Sequence, residues 1–212
     1  MKRSNKGFTL VELIITIAIM AILAAAIAIS VIRYINKARK ADDIAAADTI
    51  GATLSAAIAS DEELYHFVQI ATSDKGNNLT KANIQNGWLR VLGYCNSPRN
   101  SYDMTFHAIN TAGVTAAEKQ SFEDGINTYL GTNIPRLQFY EFNYLDEWII
   151  CADGDGRLYV FIGSGMNDDR YHMKPQTTGG RACINNGGRY CYQVWPEVDP
   201  KYEKLSRPRD AR

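Results

Sequence analysis

No proline occurs before Pro98, and no glycine lies between Gly7 and Gly51. A helix through that stretch meets neither a missing amide donor nor a flexible break in its backbone. Charge is absent as well: residues 13–32 carry no ionisable side chain over 20 positions. That excludes an ordinary surface helix of a soluble domain, in which polar residues return every turn. The whole chain has no net charge, 23 Lys and Arg against 23 Asp and Glu, so no basic field draws nucleic acid and none is expected as a partner. Histidine is scarce, with three, and the four cysteines form no Cys-x-x-Cys pair, which argues against a zinc site. The chain also lacks a G-x-S-x-G elbow, a Walker loop, a dinucleotide fingerprint and an H-E-x-x-H helix, and each of those chemistries needs its residues at that spacing. Composition and motifs point to a non-enzymatic protein with no catalytic residue, no metal and no cofactor.

What is present starts with the apolar run itself. Twenty such residues make a helix of about 30 Å, the thickness of a bilayer's hydrocarbon layer, so membrane association is expected. Ala21 with Ala25 and Ala24 with Ala28 have the small-xxx-small spacing that lets helices approach closely. Glu12 stands at the edge of the run, where a carboxylate costs on the order of 2 to 3 kcal/mol and calls for a partner. The bland reading is an acid at headgroup level. A second reading begins at Gly7: a cut between Gly7 and Phe8 would create an amino group four residues ahead of Glu12, about 6 Å along a helix axis. Opposite charges on the tip of an apolar rod can neutralise one another between neighbouring subunits, which favours a staggered array.

Gly7-Phe8-Thr9-Leu10-Val11-Glu12 follows a short basic leader with Lys2, Arg3 and Lys6 and precedes a long Ile/Ala/Leu helix. At these residues the chain resembles the type IV pilin family, which includes the pseudopilins of type II secretion and competence systems. The likeness is close over residues 1–35 and continues along the stem to about residue 65. It implies cleavage after Gly7 by a prepilin peptidase, N-methylation of Phe8, and Glu12 as the acid that pairs with a neighbour's N-terminus. It further implies a chain held in the cytoplasmic (inner) membrane before assembly and found afterwards in an extracellular surface filament, its partners being copies of itself and the membrane-bound pilus assembly machinery. Many members carry a glycine or proline halfway along the buried half of the stem, whereas this chain has only Ala and Ile there. A locally melted segment is therefore not expected, and hydrogen exchange on assembled fibres should show continuous protection across it. The rival reading of the N-terminus is an ordinary secretory signal with small residues around Ala24-Ala25-Ala26, for which the apolar core is too long. Alternatives to a major pilin are a minor pilin or pseudopilin, or a stem that merely tethers an extracellular binding or adhesion domain.

The fold class expected is α+β, with a long N-terminal helical stem, half transmembrane and half amphipathic, packed on an antiparallel β-sheet head. The expected organisation is a leader at 1–7, a membrane or filament-core helix at 8–35, an amphipathic stem at 36–70, a helical connecting region at 71–135, a sheet with a terminal hairpin at 136–196 and a flexible tail at 197–212. Ile44, Ala47, Gly51, Leu54, Ile58, Tyr65 and Val68 recur at steps of three, four and seven and mark the stem's packed face, with Asp61 interrupting it. In the connecting region Ile84, Trp88, Val91 and Leu92 suggest a short helix, and Thr115-x-x-Glu118 is a capping box opening another, with Phe122, Ile126 and Tyr129 on one side and Gly131 at its end. Strands are expected at 137–143, 147–152 and 157–163, the last two joined by Asp153-Gly-Asp-Gly156. Asp153 and Asp155 are also the weak beginning of a calcium loop, but Arg157 and Ser164 occupy ligand positions, so a plain turn is the better reading. Cys95, Cys151, Cys183 and Cys191 all lie beyond the span, and an even number in an oxidising exterior favours two disulfides. A second hairpin around Asn185–Gly188 would bring Cys183 opposite Cys191 and leave Cys95 with Cys151, the other two connectivities remaining open.

Overall fold

The computed structural model describes residues 7–73, 89–96, 105–109, 113–131, 134–140, 145–163, 172–173, 182–183 and 190–208. Two units result, Met1–Ala38 and Arg39–Arg212. In the first, helix α1 (Leu10–Ser60) begins, and its apolar side chains as far as Ile32 are exposed. It is the one helix among the described residues long and apolar enough to cross a membrane, with a mean hydropathy of 2.8 and none of that window buried.

In the second unit α1 continues and is followed by α2 (Glu62–Thr72). The single stem expected to residue 70 is thus divided at Asp61, whose carboxylate accepts the N–H groups of Glu63 and Leu64 and restarts the helix as its N-cap. Ala47, Gly51, Leu54, Ile58 and Val68 are buried as the spacing predicts, but Tyr65 is 48 % exposed and Leu64 takes the inward position. Leu64 stands one position before Tyr65 and, with Phe67, Val68 and Ala71, forms the buried face of α2. Gly51 has a packing reason: a Cβ there would collide with the Trp195 indole, which crosses the helix at that point.

The sheet runs β2-β1-β3-β4-β7-β6 with β5 beside β1, all pairs antiparallel. Its strands are β1 (Leu89–Asn96), β2 (Thr105–Ala108), β3 (Glu147–Ala152), β4 (Leu158–Gly163), β5 (His172–Met173), β6 (Ala182–Cys183) and β7 (Tyr190–Trp195). β3, β4 and their Asp153–Gly156 turn stand where the sequence places them, with Gly156 at φ +80°. The connecting region is less helical than expected. Val91 and Leu92 belong to strand β1, whereas residues 74–88, with Ile84 and Trp88, lie outside the described residues. A strand between two others is buried on both faces and loses its alternation, so a short apolar run there is indistinguishable from a helical one. Helix α3 (Ala116–Leu130) confirms the second expected helix, its Thr115/Glu118 capping box formed and its C-terminus closed by Gly131.

One face of the sheet packs on α1, α2 and α3 through Leu92, Trp148, Ile150, Val160 and Ile162. The other face carries a smaller cluster with Val91, Ile149, Cys151, Phe161 and Cys191. At the β2 edge the backbone is closed by side chains of α3: Asn127 Oδ1 accepts the Phe106 N–H at 2.9 Å, Asn127 Nδ2 donates to the Phe106 carbonyl at 3.0 Å, and Glu123 Oε2 accepts the Ala108 N–H at 2.9 Å. An edge strand otherwise presents a template for another chain. Asn127→Ala is expected to cost about 2 kcal/mol by orphaning the buried Phe106 amide, read as a lower urea midpoint at unchanged slope.

Two expectations near the C-terminal half fail for one reason. Of the strand expected at 137–143, residues 137–140 form none and 141–143 lie outside the described residues, while the tail expected at 197–212 includes helix α4 (Pro200–Lys204), with Tyr202 wholly buried. Both are gathered by α1. Asp43, fully buried, accepts the N–H of Gln138 at 2.6 Å, the N–H of Phe139 at 2.9 Å and the hydroxyl of Tyr202 at 2.9 Å. One turn earlier Lys40 donates to the carbonyls of Glu203 and Leu205 and lies 5.5 Å from the Phe139 ring. These two charged residues satisfy backbone groups that strand pairing would otherwise use.

Candidate functional site: the N-terminal tip

Gly7 and Phe8 precede the helix; a Cβ on Gly7 would touch nothing within 4 Å, and Phe8 is 87 % exposed. The peptide bond between them lies ahead of the first helical turn. Glu12 lies in the first turn of α1, where the N–H groups that no preceding turn can satisfy favour an acid. Its Oε2 accepts the Thr9 N–H at 2.9 Å and the Thr9 hydroxyl at 2.8 Å, and its own N–H donates to Thr9 Oγ1 at 3.3 Å. This reciprocal arrangement is a capping box. The sequence reading missed it, although Thr9-x-x-Glu12 is the same spacing as Thr115-x-x-Glu118 and was available as a signal. Both hydrogen bonds fall on one oxygen, and among the described residues Oε1 accepts none. The tip therefore holds its carboxylate in place with one oxygen and presents the other.

The cysteines are not brought together as expected. In the β1–β3 register Cys95 stands opposite Trp148 and Cys151 opposite Val91. Cys95 packs in the helix-facing core and Cys151 in the cluster on the opposite face, and both thiols are unbonded. A Cys95–Cys151 bond does not form, because four residues of strand and the sheet itself separate them. Burial pushes both thiols well above the usual cysteine range, which keeps them unreactive. The β6–β7 register sets Ala182 opposite Cys191 and Cys183 opposite Tyr190, one residue from the pairing expected for a Cys183–Cys191 bond. The Cys183 side chain and the turn at 184–189 lie outside the described residues.

Asp153 behaves as a turn residue. Its Oδ1 accepts the N–H groups of Asp155 and Arg157, and its Oδ2 accepts the Tyr159 hydroxyl, so three of its four acceptor sites serve the turn itself. Among the described residues no three His, Cys, Asp or Glu side chains are grouped to hold a metal ion.

The prokaryotic N-terminal methylation motif matches residues 2–28, or 27 of the 212 residues, and covers this tip and most of the apolar run. It is the class III signal peptide of type IV pilins and pseudopilins. No curated protein and no solved structure matches the chain.

Proposed function

We propose, proceeding from an N-terminus that carries the methylation motif of type IV pilins and pseudopilins, that this chain is the structural subunit of a type IV pilus. The prepilin waits in the membrane through its apolar helix. A prepilin peptidase cuts after Gly7 and Phe8 is N-methylated, and the released subunit polymerises into a surface filament through residues 8–35. The exposed tip carries this reading: an open Gly7–Phe8 bond directly before a helix whose first acid, Glu12, leaves one oxygen unengaged. A neighbour's Phe8 amine is the charge that oxygen would meet. Assembly would pack the exposed side chains of Leu10 to Ile32 against neighbouring stems, a transfer out of lipid tails as apolar as the stems, so its gain comes from close packing and not from leaving water. Lipid and neighbouring helices are alternative solvents for those side chains, so the tip charges decide how the helices stack once they leave the bilayer. The family motif likewise points to a structural subunit rather than an enzyme.

Mass spectrometry of surface-exposed material tests the reading, combined with electron microscopy of cells with and without the gene. The expected product starts at a methylated Phe8 and comes from fibres that vanish with the gene. A product starting near Ser30 would instead mark an ordinary secretory signal.

A further inference from the structure

On the head, α2 and α3 leave between them a cleft of about 500 Å³. Phe67, Ile70 and Phe122 line its floor, and Glu62, Glu63 and Glu118 stand on its rim. Phe67 and Phe122 are stacked with ring centroids 3.9 Å apart, so the floor is flat and rigid. Glu118 is engaged in its capping box and Glu63 accepts the Ser121 hydroxyl at 2.9 Å, while His66, exposed beside them, acts on Glu118 electrostatically. An apolar floor under an acidic rim suits a long cationic side chain, whose methylene stem lies on the rings while its head meets the carboxylates.

The chain carries such side chains on its own stem. Arg33 and Lys37, one turn apart on α1 and both exposed, follow the apolar run directly. Among the described residues neither makes a hydrogen bond or an ion pair. If the leader faces the cytoplasm, as the assembly reading requires, these two cations stand at the outer end of the span, where the orientation bias of membrane insertion does not call for them. Lipid headgroups or the carboxylates of a neighbouring protein are the counter-charges within their reach.

We propose that the α2–α3 cleft of one subunit receives the Arg33/Lys37 face of a second copy of this chain. The inference rests on the assembly reading and adds a second contact, remote from the tip, which sets the rotation of heads about the stems. Two cations meeting three carboxylates repeat at every subunit, and the contact is salt-sensitive because it lies at the surface.

Charge exchange in the full-length chain tests it. Glu62→Lys with Glu63→Lys, and separately Arg33→Glu with Lys37→Glu, are each expected to lower the yield of sheared fibres about tenfold, as loss of two to three exposed pairs would. Membrane levels of the unassembled protein should be unchanged. The four substitutions together should restore fibres. A yield untouched by either pair, or no recovery in the combination, overturns the proposal. A collar that serves lipid headgroups would show as a lower membrane level with Arg33→Glu and Lys37→Glu, not corrected by the acid-to-lysine pair. Co-expressed copies carrying Lys37→Cys and Glu62→Cys give a readout independent of fibres: a crosslinked dimer under mild oxidation supports docking even if no filament is seen. No crosslink in cells that do make fibres overturns docking and leaves the assembly reading standing.

Discussion

Glu12→Gln is expected to abolish surface fibres while leaving the helix start intact. Glutamine keeps an oxygen that can accept the Thr9 N–H and hydroxyl, which now bond to Glu12 Oε2, and it is a competent capping-box residue. What it removes is the charge. An amine left buried against apolar helices without its counter-ion costs roughly 3 to 5 kcal/mol, which at 1.4 kcal/mol per decade corresponds to a hundredfold to thousandfold loss of assembly. Thr9→Val makes the complementary change: it removes the hydroxyl that fixes the carboxylate, retains the charge, and is expected to cost about 1 kcal/mol. Fibre yield by immunoblot of the sheared fraction, normalised to membrane-held protein, should therefore fall far more for Glu12→Gln than for Thr9→Val. Wild-type yield with Glu12→Gln would remove charge compensation from the account and leave Glu12 as a helix cap alone.

Asp43→Ala is expected to produce the largest loss of stability in the head. Three donors converge on this buried carboxylate, the Gln138 and Phe139 amides and the Tyr202 hydroxyl. Leaving each unsatisfied costs about 1 to 3 kcal/mol. A total of roughly 3 to 9 kcal/mol is a large share of the 5 to 15 kcal/mol that holds a typical domain together. The same site confers a pH dependence. Desolvation raises the Asp43 carboxyl from 3.8 to about 6, against the opposing pull of its hydrogen bonds to Gln138, Phe139 and Tyr202. The folded state thus holds its proton more tightly than the unfolded one. The resulting stability is fully present below about pH 3.8 and is lost as pH rises through about 6. Thermal melts from pH 7 down to pH 4 should show the gap between wild type and Asp43→Ala widening on acidification. Asp43→Asn, uncharged throughout, should lack this pH-dependent component. A gap that narrows would mean the hydrogen bonds outweigh burial and the carboxyl titrates low.

Asp43 and Lys40 also show what tertiary structure alone supplies. In sequence they lie in a charged stretch, Lys37 to Asp43, that reads as solvated surface, and nothing local marks two of its members as buried. Their partners are 95 to 165 residues away. The irregular 134–140 stretch and the folded C-terminal segment depend on those distant contacts, so neither the propensity of Leu137 and Phe139 for a strand nor the charge of the last residues could reveal them. The cysteine arrangement was hidden for a related reason. Parity and compartment argue for bonds, but which face of the sheet Cys95 and Cys151 occupy depends on strand register, and a bulge between Val91 and Gly93 shifts that register within β1 itself.

The amino-acid order by itself determined what depends on near neighbours. The uncharged run at 13–32 specifies a helix that avoids water, Thr115 with Glu118 specifies where α3 begins, and Asp153-Gly-Asp-Gly156 specifies a tight turn between β3 and β4. The N-terminal tip belongs to this group, since Gly7, Phe8, Thr9 and Glu12 lie within two turns of one another. Folding in three dimensions decided the rest: the division of the stem at Asp61, the inward turn of Leu64 in place of Tyr65, the closure of the β2 edge by Asn127, and the gathering of two remote segments onto Asp43. Local signals act through hydrogen bonds a few residues long. The others arise only when desolvation forces distant polar groups to find each other, and the linear order of residues does not say which ones will meet.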